Sequence, residues 1–297
     1  MGTIIDHATV SQAGWRSRHS ALRIAVAAAR ACLDEAGCPP NDLDLLVNAG
    51  LYRDGNLGEP ALASMIQEDV GANPEDPHAG AHGTFSFDVA NGVCGPLTAL
   101  QVADGFLRSG SIRRALVVAS DADPARGMTR DFPFAGAGGA LLCSWTEDAT
   151  GLGPICWANF PDGGESFRST VGYHDGRNRL RITSSELMDE TFAVAAAKVA
   201  FDCLDRDSTD LADVDLVVAA PARAGYAAGL ASGLGVAEER LVVARDERVH
   251  TAALIAALHD ATTAGRLRPG STVLLLAAGA GVTAGAALYR VPGRDTP

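Results

Sequence analysis

The segment CLDEAGCPPNDLDLLVNA at residues 32–49 recurs without a gap as CLDRDSTDLADVDLVVAA at 203–220, with eight of eighteen positions identical. A chain that repeats itself in this way is expected to fold as two like halves. Each copy follows an Ala-rich stretch, ALRIAVAAARA or FAVAAAKVAFD, and ends in a continuous aliphatic run, LDLLV or VDLVV. The first is too apolar for a solvated helix and the second marks a strand buried on both faces, so the unit reads helix, loop, buried strand. A second correspondence joins LTALQVADGFLRSGSIRRALVVASDAD at 97–123 to AALIAALHDATTAGRLRPGSTVLLLAAGA at 252–280, with a two-residue gap. Each is a helix closed by Gly110 or Gly265, then a basic turn and an aliphatic strand. The fold class is therefore α/β, in halves of 1–150 and 151–297, with sheets covered by helices. The polar stretch 159–178 reads as an exposed connection, though not a free linker, because strand-like segments flank it.

Composition excludes several classes. With 297 residues, 47% hydrophobic and 20% charged, the chain has a large aliphatic core and is too long for one small domain. A net charge of −12 argues against a broad basic surface for nucleic acid or anionic lipid. The six cysteines form neither a dense disulfide pattern nor a pair of C-x-x-C half-sites, so reduced, buried thiols and no metal are expected. No charged leader with an apolar core opens the sequence, and the apolar stretch Val273 to Tyr289 is broken by glycines, which predicts a cytoplasmic protein without a membrane span. The glycine run FAGAGGALL at 134–142 lacks the Lys-Ser/Thr of a phosphate cradle and leads into a strand, so no nucleotide cofactor is expected. Its glycines predict a close approach of backbones at the centre of the fold.

Two residues stand where chemistry is expected. FSFDV at 85–89 reads as a strand and ANGVCGP at 90–96 as a tight strand-to-helix turn; the matching second-half segment is LVVARDERVHTAALIAAL. If the halves pack about a pseudo-twofold axis, the helices opening after Cys94 and near His250 meet at the middle. A helix N-terminus lowers a thiol's pKa and stabilises an oxyanion, so Cys94 and His250 are the candidate catalytic residues. Both have a plainer reading, Cys94 as a small buried hydrophobe and His250 as the cap of a turn. Asp88 is expected to be structural, closing a turn or pairing with backbone N–H groups. The other histidines (His7, His19, His78, His82, His174 and His259) fall in loops or on polar faces and are assigned no chemistry.

The segments DLDLLVNAG, FDVANGVCGPLTALQVADGFLRSGSIRRALVVASDA, FAGAGGALL, DVDLVVAAPARAGYAAGLASGLGV and GRLRPGSTVLLLAAGAGVTAGAALYR stand in an order that resembles thiolase-superfamily condensing enzymes, closest to the β-ketoacyl-acyl-carrier-protein synthase III group. The resemblance implies a thiolase-like fold of two βαβαβαββ-type halves in a five-layered αβαβα arrangement. It further implies a dimer and a site that takes an acyl group from acyl carrier protein or coenzyme A through a narrow tunnel. In that family a Cys takes the acyl group, and a His and an Asn hold the thioester oxygen during malonyl decarboxylation. Anchored on Asp88-Val89 and Val102-Ala103-Asp104, the resemblance puts Val93 in the nucleophile's place, with Cys94 one residue late. One residue is about 100° of rotation at a helix start. Ala220 stands where the His is expected, and His250 where the Asn is expected, or Arg248 if aligned from the helix end. The N-terminal segment is shorter than the family's, and Trp15, Arg16 and Arg18 are a weak match to its coenzyme A loop.

Three functions follow from these departures, all within fatty-acid or polyketide-type acyl-thioester metabolism. The first, preferred, is a non-condensing partner subunit that pairs with an active ketosynthase as a heterodimer. The second is an acyltransferase using Cys94 with His250 as base, without decarboxylation. The third is a homodimeric binding protein for acyl-carrier-protein or acyl-thioester ligands.

Overall fold

The computed structural model describes residues 1–73, 83–125 and 127–293; His78 and His82 lie outside the described residues. The first half runs β1 (Gly2–Gln12), α1 (Ala21–Ala36), β2 (Leu45–Asn48), α2 (Leu62–Val70), β3 (Phe85–Asp88), α3 (Gly95–Arg108), β4 (Arg114–Asp121) and β5 (Ala137–Thr146). The second opens with the short β6 (Gly151–Leu152) and β7 (Cys156–Asn159), then β8 (Phe167–His174) and β9 (Arg177–Ser184). It continues with α4 (Met188–Asp207), β10 (Leu216–Ala220), α5 (Ala224–Leu234), β11 (Leu241–Val242), α6 (Ala253–Thr263), β12 (Thr272–Gly279) and β13 (Thr283–Arg290).

The repeat becomes two sheets of matching order. One is β1-β5-β4-β2-β3; the other is β6-β13-β12-β10-β11, with β7 also paired to β13. In both, the repeated strand (β2 or β10) lies parallel to its two neighbours, and the next hairpin (β4-β5 or β12-β13) is antiparallel. Period-two alternation then sorts side chains into layers. Leu45 and Val47 of β2 point into the central core while Leu46 points to the outer one. In β12, Val273, Leu275 and Ala277 face the centre, and Leu274, Leu276 and Ala278 face out. Helices α3 and α6 fill the central layer, α1 and α2 cover one sheet from outside, and α4 and α5 cover the other. This is the five-layered αβαβα thiolase-like arrangement.

The helices are specified locally. In α1, Ala21, Ile24, Ala25, Ala28, Ala29, Cys32 and Leu33 are buried along one stripe, Ser20 caps the start and Gly37, left-handed at φ 62°, closes the end. Cys203 occupies the equivalent buried place in α4. The glycine run in β5 makes room for side chains from the flanking helices, not for the backbone approach that the sequence predicts: a Cβ at Gly139 would lie 2.6 Å from Cγ2 of Ile255 in α6, and one at Gly138 2.8 Å from Cγ2 of Ile24 in α1. Strand β5 is thereby pressed between an outer and a central helix.

One stretch differs from its sequence reading. Residues 159–178 are not merely a connection, because β8 and β9 pair as an antiparallel hairpin outside both main sheets. Its two-residue loop is Asp175-Gly176, both at positive φ (49° and 74°), the type I′ geometry that matches strand twist. The strands were masked in sequence by their polarity, since most of their residues are exposed. No helix among the described residues is long and apolar enough to cross a membrane, and none of their His, Cys, Asp and Glu side chains gather in groups of three that could hold a metal ion.

Candidate functional site

Asp88 ends β3 just before the turn into α3. Its carboxylate accepts from the N–H groups of Leu62 and Ala63, each at 2.8 Å, so it caps α2 as well as ending β3. Asn48 Nδ2 adds a third bond at 3.1 Å. This is the structural role read from the sequence. The chain then turns through Gly92, at φ 51°, into a 3₁₀ turn, Gly92–Cys94, that runs on into α3.

Cys94 is 1% exposed, and its Sγ donates to the carbonyl oxygen of Thr283 at 3.4 Å. A Cβ built on Gly279 would lie 3.6 Å from the same sulfur, so the thiol is packed against the β12-β13 connection. Burial pushes the thiol up to about 12, opposite to the direction expected of a helix N-terminus. The magnitudes explain the reversal. A helix dipole contributes about 0.3–1 kcal/mol, whereas a rise from 9.0 to about 12 corresponds to roughly 4 kcal/mol against the thiolate. Val93, beside it, is 4% exposed, and Ala220 at the end of β10 is fully buried.

His250 lies in the segment that opens α6, where its carbonyl oxygen accepts from Ala253 N at 3.1 Å. Its ring stacks on Phe134 with centroids 4.2 Å apart, and Tyr52 and Phe167 approach to 5.2 and 6.1 Å. Phe132 completes the cluster edge-on to Tyr52 and Phe134. Aromatic residues make up only 5% of the chain, yet four of them from three separate segments gather around this one imidazole. The residue is 8% exposed.

The group that organises this region is Asp121, the last residue of β4, which sequence reasoning did not single out. One carboxylate oxygen accepts from Tyr52 N at 2.9 Å and Leu51 N at 3.3 Å. The other accepts from Thr251 N at 2.8 Å and Thr251 Oγ1 at 2.7 Å, and lies 3.5 Å from His250 Nδ1, an ion-pair distance without hydrogen-bond geometry. Burial by itself raises its pKa, but His250, the Tyr52 amide and Thr251 outweigh that and hold the carboxyl below its usual 3.8. A single fully buried carboxylate thus ties the first half to the segment that opens α6. The available signal was an Asp ending the aliphatic run ALVVASD, which sequence alone does not connect to a partner 130 positions on.

The structure therefore gives the two candidate residues different partners. The Cys94 thiol is directed to the Thr283 carbonyl, His250 Nδ1 faces Asp121, and no hydrogen bond joins Cys94 to His250.

Comparison with known proteins completes the description. The family profile for 3-oxoacyl-(acyl-carrier-protein) synthase III matches residues 87–154, and the profile for its C-terminal part matches residues 204–291. The β-ketoacyl-(acyl-carrier-protein) synthase III of Erythrobacter litoralis (strain HTCC2594) is 30% identical over 308 residues, covering 96% of this chain and 90% of that protein. That of Escherichia coli O9:H4 (strain HS) is 30% identical over 304 residues with the same coverage. Among solved structures, the 3-oxoacyl-(acyl-carrier-protein) synthase III of Aquifex aeolicus VF5 superposes with TM-score 0.81 at 22% identity, covering 97% of this chain and 100% of that one. A variant of Xanthomonas campestris OleA with bound lauric acid and lauroyl-CoA superposes with TM-score 0.80 at 17% identity, covering 98% and 99%. The sheet order, the paired strand-to-helix turns and a match over nearly the whole chain lead to one assignment: the chain belongs to the β-ketoacyl-acyl-carrier-protein synthase III family.

Proposed function

We propose that this chain is a non-condensing partner subunit, which pairs with an active ketosynthase and helps shape the pocket for an acyl group borne by acyl carrier protein or coenzyme A. The observation that carries this reading is the state of Cys94. Val93 takes the nucleophile's place in the resemblance, and an aliphatic side chain forms no thioester. The thiol one residue on is buried, bonded to the Thr283 carbonyl and held protonated, so it does not substitute for the missing nucleophile. Ala220 in the place of the family His supplies no donor to an enolate oxygen, and His250, in the place of the Asn, is engaged by Asp121 and an aromatic stack. Three altered positions fit a changed role better than three tolerated losses.

A second reading is acyl transfer by Cys94 and His250 without decarboxylation. The Asp121–His250 approach favours it, since a carboxylate beside Nδ1 orients an imidazole for base catalysis.

The isolated protein is expected to release no carbon dioxide from malonyl thioesters. A carbon dioxide assay with malonyl-coenzyme A and malonyl-acyl carrier protein checks this; release above a no-protein blank contradicts it.

A further inference from the structure

Five of the six cysteines are buried, and Cys156 on β7 is the one that solvent reaches. The sheet fixes where its side chain points. Cys156 stands opposite Ala286 of β13, so the two share a face, and Ala284, Ala286 and Leu288 line the outer face that α4 covers. Helix α4 brings Cys203 and Arg206, one turn apart, to the same place. Arg206 Nη1 donates to Cys156 Sγ at 3.9 Å, and the Cys203 thiol is in side-chain hydrogen-bonding contact with that of Cys156. Cys203 is 3% exposed and also meets the backbone of Leu288. An open thiol and a closed one therefore stand against each other where β7 packs on α4.

The repeat supplies an internal comparison. Cys32 occupies the equivalent place in α1 and meets the backbone of Leu142, as Cys203 meets that of Leu288. Cys38 and Cys143 lie within electrostatic reach of Cys32, but all three are buried, so a reagent in solution finds no sulfur to attack there. Of the six cysteines, only Cys156 and Cys203 join a buried thiol to an accessible one.

We infer that Cys156 and Cys203 form an oxidation site, which passes from dithiol to intramolecular disulfide on reaction with a hydroperoxide. The Cys156 thiolate attacks a peroxide oxygen, the O–O bond breaks, and the leaving hydroxide is protonated to water, so Cys156 becomes a sulfenic acid. The Cys203 sulfur then attacks the Cys156 sulfur, the S–O bond breaks, and the departing hydroxide takes the Cys203 proton as the second water. Two thiols are oxidised, and one hydrogen peroxide is reduced to two waters. Accessibility sets this order, and burial reinforces it by pushing the Cys203 thiol up to about 12. The new bond ties β7 to α4 and closes the segment that holds the β8-β9 hairpin, including Phe167 of the aromatic cluster around His250. The inference uses neither Cys94 nor His250 and stands independently of the proposed function.

The test treats the full-length chain with hydrogen peroxide at neutral pH, unfolds it in iodoacetamide to block the remaining thiols, and maps the peptides without reduction. A linked Cys156–Cys203 peptide pair is expected as the main product, with Cys32, Cys38, Cys94 and Cys143 recovered alkylated and with both thiols restored by dithiothreitol. In Cys203→Ser the sulfenic acid has no resolving thiol, so dimedone is expected to trap it on Cys156. In Cys156→Ser, oxidation of Cys203 is expected to slow on the order of tenfold or more. Both replacements keep side-chain size, and circular dichroism verifies the fold. Absence of the linked pair, a main product that joins any other two cysteines, or unchanged oxidation of Cys203 in Cys156→Ser overturns the inference.

Discussion

Replacing Asp121 by Ala is expected to destabilise the protein by about 3–5 kcal/mol, a cost typical of removing one member of a buried charged network. The amides of Leu51, Tyr52 and Thr251 and the Thr251 hydroxyl lose their acceptor in a place water does not reach. Asp121→Asn keeps the shape and one acceptor oxygen but turns an amide NH₂ toward donors, so a smaller loss is expected. The pH dependence has a defined sign. A carboxyl held below its usual 3.8 in the fold contributes stability that is fully present above 3.8 and is lost as pH falls through the folded value. Urea denaturation should therefore show a constant gap between wild type and Asp121→Asn from pH 7 to about pH 5, narrowing below about pH 4. A loss under 1 kcal/mol for Asp121→Ala, or a gap that widens in acid, contradicts the account.

The second large effect is kinetic. With its thiol at about 12 rather than 9.0, Cys94 carries on the order of 10³-fold less thiolate than an unperturbed cysteine. Its alkylation by iodoacetamide in the native protein is expected to be slower by that factor or more, burial adding to it. Cys156, on β7, is the half-buried exception among six cysteines and should be labelled first. Peptide mapping after a short pulse decides: preferential labelling of Cys94 marks a reactive nucleophile and supports the acyltransferase reading instead.

Much of the architecture was legible because it is written in local chemistry. The repeat set α1 against α4 and β2 against β10, and continuous aliphatic runs marked strands buried on both faces. The turn that holds Cys94 and the structural role of Asp88 were equally readable, since a strand-to-helix turn with Gly and a capping carboxylate are short-range devices. The hairpin was not. Its period-two alternation is present, with Arg177, Arg179 and Arg181 on one face and Leu180 and Ile182 on the other, but Ser169 and Asn178 interrupt the apolar face, and so polar a strand resembles a loop when only overall hydrophobicity is followed. Asp121 and the aromatic cluster around His250 escaped for a different reason: each joins segments far apart in sequence, so nothing local announces them. The direction of the Cys94 shift was misjudged because desolvation depends on what packs over the thiol, and that comes from the β12-β13 connection in the other half.

The central claim is that this 30.5 kDa chain acts as a partner rather than a condensing enzyme. Its most direct test is native mass spectrometry of the chain co-expressed with a ketosynthase III homologue whose Cys, His and Asn are intact, followed by assay of the purified assembly. The account predicts a heterodimer whose activity stays within a few-fold of wild type in His250→Ala and Cys94→Ala variants of this chain. A homodimer that ignores the ketosynthase, with its own acyl transfer reduced on the order of 10²-fold by either substitution, would contradict it.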